Sequence, residues 1–391
     1  MMSILGTVAR GIRTPMIKEG DCLANIVVDC IMAAAEEGFA LQDRDVIGIT
    51  ESVVARAQGN YATTAQIAVD VMNKFGGDEM AIVFPILSRN RFGNILKGVA
   101  TGCKKLYILL SYPADEVGNH LIDLDALNRV SVNPYTDVLD ERYYRELFGF
   151  DTKHPFTGID YVEYYKSFGE HIEIIFANDP REILSYTKKV LACDIHTRQR
   201  TKNLLKRAGA ETVYGLDDIL TKSIGNSGYN ENYGLLGSNM ATPDKIKLFP
   251  RDCGRLVEDI QAQLLAKTGK QIEVMVYGDG AFKDPVGMIW ELADPVVSPA
   301  YTKGLVGTPN ELKLKFMLDN ELAGKTEAEA RATMTAAIKA KETELGDKAL
   351  GTTPRHYVDL LGSLCDLVSG SGDKGTPIVL VQGYFRDYAM E

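Results

Sequence analysis

The chain has 391 residues, roughly twice a typical domain, which predicts two domains or one core carrying a large insertion. With 45% hydrophobic and 25% charged residues, its composition is that of an ordinary globular protein and excludes disordered, collagen-like and low-complexity classes. Forty-three Lys plus Arg against 53 Asp plus Glu give a net charge of −10, which argues against nucleic acid or an anionic membrane as the main partner. A local basic pocket for a phosphorylated small molecule is still allowed. Cys22, Cys30, Cys103, Cys193, Cys253 and Cys365 are scattered without a C-x-x-C pair and read as reduced thiols. No apolar stretch has the length of a membrane helix, so a soluble, cytoplasmic protein is expected.

In chain order, Asp21 is placed to cap a helix whose apolar residues Leu23, Ile26, Val27, Cys30, Ile31 and Ala34 recur at helical spacing, with Gly38 as its left-handed stop. Residues 45–50 read as a short buried strand, and Thr63 with Gln66 forms a capping box opening a second helix through Phe75. A strand over 81–84, a helix over 92–103 and a strand over 106–111 continue a β-α-β pattern that builds a parallel sheet. Residues 112–170, rich in Tyr, Asp, Asn and Pro, read as an insertion or a substrate-covering segment. A second α/β unit follows, with strands at 172–176 and 211–214 and helices starting near Pro180 and Thr197. The Gly/Asn/Tyr-rich stretch 223–239 reads as a functional loop. Beyond it we expect a helix over 253–267, a strand over 272–277, a loop over 278–285 and a capping box at Thr326 and Glu329. Pro354 marks a further helix start, and 377–381 a last buried strand.

Three segments collect groups that carry chemistry. Residues 49–59 leave a strand with Thr50, Glu51, Ser52 and Arg56, which suits a phosphate at a strand's carboxyl end, the alternative being a solvated helix turn. Asp279 and Asp284 follow another strand, where carboxylates hold Mg²⁺ bridged to phosphate or simply cap a turn. Asp115, Glu116, Asn119 and His120 form either an acid/base or metal cluster or a helix cap with exposed neighbours. Ser88, Arg89, Asn90 and Arg91 are a basic cluster that grips an anion or pairs with surface acids. The commonest nucleotide and hydrolase signatures are absent.

In this order the pieces resemble the coenzyme F420-0:L-glutamate ligase family, also called F420-0:gamma-glutamyl ligases. Thr14-Pro15-Met16-Ile17 followed by Gly20-Asp21-Cys22-Leu23 is similar to that family's Leu-Pro-x-Ile and Gly-Asp-Asp-Leu. The run from Glu51 to Gly59 resembles its Ser-Lys-x-Val-Ser-Lys-Ala-Glu-Gly, and Leu236-Gly237-Ser238-Asn239 with Leu248-Phe249-Pro250-Arg251-Asp252 resembles Asp-x-Ser-Asn and Leu-Leu-Pro-x-Asp. Val276 to Pro285 and Gly370 to Gly383 are similar to two further motifs.

The resemblance covers about 10–80 and 230–385. It implies an α+β fold with a ligase-like core, 1–80 and 230–391, and an inserted or expanded α/β region, 81–229. It also implies a homodimer that uses GTP and Mg²⁺ or Mn²⁺ to join glutamate or another amino acid to an anionic carboxylate through an acyl phosphate. By position it implies a nucleotide site of Thr14, Pro15, Met16, Ile17, Glu51, Arg56, Asn239, Gly370, Ser371, Gly372 and Gly375, with Asp279 and Asp284 on the metal. Arg56 stands for a phosphate-binding lysine. Leu236, Gly280 and Ser371 replace the family's metal-binding Asp, Thr and Gln. A non-catalytic nucleotide or phosphometabolite binder that kept the fold is the alternative.

Overall fold

The computed structural model describes residues 5–154, 157–278, 298–340, 355–369 and 372–386, together with the backbone of 281–284, 289–292 and 297. It opens with β1 (Val8–Ile12), α1 (Leu23–Ala35), β2 (Val46–Thr50), α2 (Glu51–Ala57), β3 (Tyr61–Thr63), α3 (Thr64–Phe75) and β4 (Glu79–Val83). A π-helical turn, Arg89–Gly93, runs into α4 (Asn94–Thr101), then β5 (Lys105–Leu110), α5 (Leu124–Leu127), β6 (Leu139–Asp140), α6 (Glu141–Phe148), α7 (Tyr161–Lys166) and β7 (Ile172–Phe176). Next come β8 (Lys189–Ala192), α8 (Arg198–Arg207), β9 (Thr212–Gly215), β10 (Asn239–Thr242), β11 (Lys245–Lys247), α9 (Cys253–Thr268) and β12 (Glu273–Gly278). The chain closes with β13 (Ala281–Asp284), β14 (Ile289–Leu292), β15 (Val297–Tyr301), α10 (Leu314–Asn320), α11 (Glu327–Lys339), α12 (Tyr357–Ser369) and β16 (Ile378–Gln382). The fold class is α+β.

The first of two main sheets has the order β1-β16-β2-β12-β15, and only β2 and β12 pair in parallel. Successive side chains of a strand point to opposite faces, and here both faces are covered. Ile47, Ile49, Val274 and Val276 pack with Val27 and Ile31 of α1 and Val257 and Ile260 of α9. Val46, Met275, Tyr277 and Val379 pack with Leu361 and Cys365 of α12. Burial on both faces is why Val46–Thr50 reads as a continuous apolar run and not as an alternation.

The second sheet has the order β6-β7-β5-β4-β8-β9, with five parallel strands and antiparallel β6 at one edge. Numbered along the chain, its parallel strands run 3-2-1-4-5, the arrangement of doubly wound α/β sheets, with the order reversing between β4 and β8. Helices α3 and α4 cover one face through Ile67, Val71, Leu96 and Val99, and Leu205 of α8 packs on the other. A small third sheet has the order β10-β11-β3.

Both capping boxes are present, Thr63 with Gln66 and Thr326 with Glu329. Three local expectations are corrected. Asp21 does not cap α1: its carboxylate takes the Lys18 N–H at 2.6 Å, and the capping residue is Cys22, which makes no side-chain cap bond. The segment after Pro180 is a 3-10 turn, Pro180–Ser185, held by Asp179 at its start. Residues 281–284, expected in a loop, form β13, paired with β14. Pro354 lies outside the described residues. Among the described residues no helix is long and apolar enough to cross a membrane.

Candidate functional site

At the carboxyl end of β2 the chain turns directly into α2, so Glu51 and Ser52 begin a helix where a buried strand stops. The adjoining end of the sheet is fixed by the Thr50 N–H, which donates to the Pro377 carbonyl at 3.0 Å. Thr14 N–H donates to the Gly375 carbonyl at 3.2 Å, which brings the 14–17 segment to the same place. Gly375 has φ +65°, a backbone state that favours glycine. Ile17 is buried in the core while Met16 is 87% exposed at the rim, so this short segment is anchored by one side chain and offers another to a ligand.

The third wall comes from β10 and β11, where Asn239 and Lys247 are direct partners across the pair. Buried Asn60 positions this wall: its amide donates to the Phe249 carbonyl at 2.7 Å and its own carbonyl takes the Leu248 N–H at 2.9 Å. Lys247 then reaches back to α2, donating to Ser52 Oγ at 2.6 Å and lying 3.6 Å from Glu51 Oε1. The other oxygen of Glu51, Oε2, is buried without a hydrogen-bond partner among the described residues. Arg91, from the π-helical turn after β4, donates at 3.4 Å to the carbonyls of Gly237 and Ser238 and closes the fourth side. The result is a cleft of about 520 Å³.

Of the residues expected at a nucleotide, Thr14, Pro15, Met16, Ile17, Glu51, Arg56, Asn239 and Gly375 all line this one cleft. Arg56 is exposed on α2 and makes no ion pair among the described residues. Gly370 and Ser371 lie outside the described residues, and Gly372 opens a 3-10 turn, Gly372–Lys374, just before Gly375. Asp279 and Gly280 also lie outside them, as does the side chain of Asp284, whose backbone ends β13. Lys247 and Asp366 are lining residues that the sequence reading did not single out. In sequence Lys247 follows Lys245 in an ordinary alternation with Ile246, and nothing local marks it.

The Asp115 cluster is neither a helix cap nor a set of converging ligands. The Asp115 carboxylate accepts the N–H groups of Leu87, Val117 and Asn119 and the Asn119 side-chain amide, at 2.8 to 3.1 Å. Burial pushes its carboxyl up from the ordinary value against these donors, and burial does the same to Glu116, which accepts from the N–H groups of Ile195 and His196. The helix cap nearby is Asp123, on α5.

A family model for F420-0:gamma-glutamyl ligase matches residues 11–383. The chain belongs to that family. No curated protein matches it. Within this F420-0:gamma-glutamyl ligase member, the position expected for a metal-binding Asp holds Leu236, which is partly buried against the hydrophobic core under the second sheet. Glu51 and Asp366 are the carboxylates lining the cleft, and among the described residues no group of three or more His, Cys, Asp or Glu side chains is placed to hold a metal ion. Asp279 and the side chain of Asp284, the expected metal ligands, lie outside the described residues, and Glu51 and Asp366 alone do not make up the six-ligand octahedral shell that Mg²⁺ requires.

Proposed function

We propose that the chain is a nucleotide-dependent acid–amino-acid ligase that works in this cleft, with GTP as the phosphoryl donor and glutamate as the first amine to try. The observation that supports it most is the meeting of four distant segments, around 14–17, 50–56, 239–247 and 375–377, at the end of one buried strand. A carboxylate is a poor electrophile, and phosphorylation gives it a leaving group. In the proposed sequence an acceptor carboxylate oxygen attacks the γ-phosphorus and the bond to the β-phosphate oxygen breaks, releasing GDP. The amine then attacks the acyl carbon, the bond to phosphate breaks, and amide, inorganic phosphate and one proton are the products.

The residues of the chain serve this reaction by holding charge and excluding water. Arg56 offers a guanidinium whose parallel N–H groups match phosphate oxygens. Thr14 to Ile17 flank the nucleotide, with Met16 giving an apolar surface to its base. Asn239 offers an amide from the opposite wall. Mg²⁺ or Mn²⁺ would accompany the triphosphate and neutralise part of its charge. A cytoplasmic homodimer is the expected assembly, open to sedimentation.

Purified chain incubated with GTP, Mn²⁺, glutamate and coenzyme F420-0 as acceptor should yield a product heavier by one glutamyl unit, with GDP and phosphate in equal amounts. GTP binding without GDP release from any carboxylate and amine pair would favour the non-catalytic binder.

A further inference from the structure

The apolar run of β2 ends at Thr50, and Glu51 is the first residue of α2, only 4% exposed. Helical side chains lean toward the N-terminus of their own helix, so the first one projects back past the strand end, and Glu51 lines the cleft there. Its two carboxylate oxygens are used differently. Oε1 has the Lys247 ammonium at 3.6 Å, while Oε2 is buried and accepts no hydrogen bond from any described residue. A buried acceptor without a donor is costly, the more so on a charged group, and native structures keep one where a ligand or a water supplies the donor.

The reaction proposed for the cleft leaves one substrate group without a receptor. Arg56 and Asn239 offer N–H donors, which suit phosphate and carboxylate oxygens. An amino acid also brings an ammonium, which donates three hydrogen bonds and accepts none, so whatever holds it must be an acceptor. A carboxylate is the strongest acceptor for it, because the bond is charge-assisted. Thr14, Thr50, Ser52 and Asn239 line the cleft with neutral oxygens, and Asp366 on α12 is only half-buried. Glu51 therefore has the charge that a phosphate would avoid and an ammonium would seek.

We propose that Oε2 of Glu51 receives the amino group of the amino-acid substrate, so that the cleft selects an α-amino acid over the same acid without its amine. This rests on the ligase reading of the cleft. It adds which side chain holds the nucleophile, and it gives a use to a carboxylate standing where the motif this segment resembles begins with serine.

The test is calorimetric titration of the full chain with glutamate and with glutarate, the same dicarboxylate lacking the amine, in the presence and absence of GDP and Mn²⁺. The wild-type chain should bind glutamate roughly tenfold or more tightly than glutarate. Glu51→Gln keeps the shape and removes the charge, and it should narrow that preference to about threefold or less. Equal affinity for the two acids in the wild-type chain, or none for either, overturns the proposal whether or not the variant folds. An unchanged preference in a Glu51→Gln chain of normal melting temperature overturns it as well, and so does a loss of Mn²⁺-dependent GTP binding in that variant, which would assign the carboxylate to the metal. In each of these cases a glutamylated product from the wild-type chain keeps the ligase reading standing. Absence of that product together with absence of glutamate binding takes down both.

Discussion

The parallel strands of the two sheets end in opposite ways. Doubly wound sheets take ligands in the crevice beyond their carboxyl ends, where the strand order reverses. In the six-stranded sheet that place lies between β4 and β8, and the loop after β5 is laced across it. Asp115 on that loop ties down Leu87 after β4, and Glu116 reaches over to Ile195 and His196 after β8. In the five-stranded sheet the end of β2 stays open as a cleft, where one Glu51 oxygen meets no described donor and Arg56 is exposed. Strand ends therefore locate candidates, but the use made of the loop's polar groups decides between them. At Asp115 both carboxylate oxygens accept from neighbouring N–H groups, whereas Glu51 keeps one oxygen without a described donor beside the cleft. The second sheet still contributes, because the loop that Asp115 clamps leads through Ser88 into the turn that places Arg91 on the cleft.

The largest effect should come from the laced edge. Asp115→Ala leaves the N–H groups of Leu87, Val117 and Asn119 without their acceptor in a buried place. At roughly 1 to 3 kcal/mol for each stranded donor, and allowing for water at some of them, the loss should be about 4 kcal/mol. Chemical denaturation would measure it. A loss below about 1 kcal/mol would break the distinction drawn between the two strand ends.

The open edge should respond in binding and not in stability. Arg56→Ala removes a guanidinium that faces the cleft, and it should cost about 2 to 3 kcal/mol of GTP affinity, a weakening from tens-fold to above a hundredfold. Melting temperature should hold, since Arg56 is exposed and ion-paired to nothing described. Equal GTP affinity in wild-type and variant chains would remove Arg56 from the site.

What the sequence made legible follows the same division between local and distant causes. The two capping boxes and the apolar run of β2 were readable because cap and periodicity are contained within a few residues. The short strands β1, β3, β8, β10 and β11 were not, because segments of three to five residues take their conformation from neighbours across the sheet. The candidate site divides likewise. Thr14 to Ile17, Glu51, Arg56 and Asn239 stood in recognisable motifs, and they meet on one cleft. Lys247 owes its place to the register of β11 on β3 and to a contact with Ser52 across 195 positions, which no local pattern announces. Asp115 had the right chemistry for a site and was withheld from it by backbone donors whose positions only the fold reveals.

Two glycines sharpen the comparison at smaller magnitude, because one lets α4 approach α3 and the other lets α12 approach β2. On α4, a Cβ at Gly98 would stand 2.7 Å from the Cβ of Ile67 and 3.0 Å from the Thr64 carbonyl oxygen. Neither atom is the end of a flexible chain, so α3 and α4 must separate. Gly98→Ala should cost about 2 kcal/mol, overpacking of about 3 being offset by about 1 from replacing glycine within a helix.

The counterpart in the five-stranded sheet is Gly48, in the middle of β2 on the face that receives α12. A Cβ there would stand 2.5 Å from Cys365 Sγ, 3.2 Å from Cys365 Cβ and 3.3 Å from a ring carbon of Tyr277. The worst contact is with one sulfur at the end of a short side chain, not with backbone, so the clash has a removable partner. Gly48→Ala alone should cost about 1 to 2 kcal/mol, since the strain of overpacking is partly offset by the lower chain entropy that alanine brings to a strand. Cys365→Ala alone should also destabilise, because Cys365 is buried among Val46, Met275 and Val379 and its removal leaves a small void. The double variant should be more stable than the two single losses predict, by at least about 0.5 kcal/mol, since the new methyl group occupies the space the sulfur leaves. Additive losses would mean that α12 yields as a rigid body instead. In that case the floor of the cleft, where Asp366 on the same helix lines the wall, should shift with it, and GTP affinity would fall in Gly48→Ala alone.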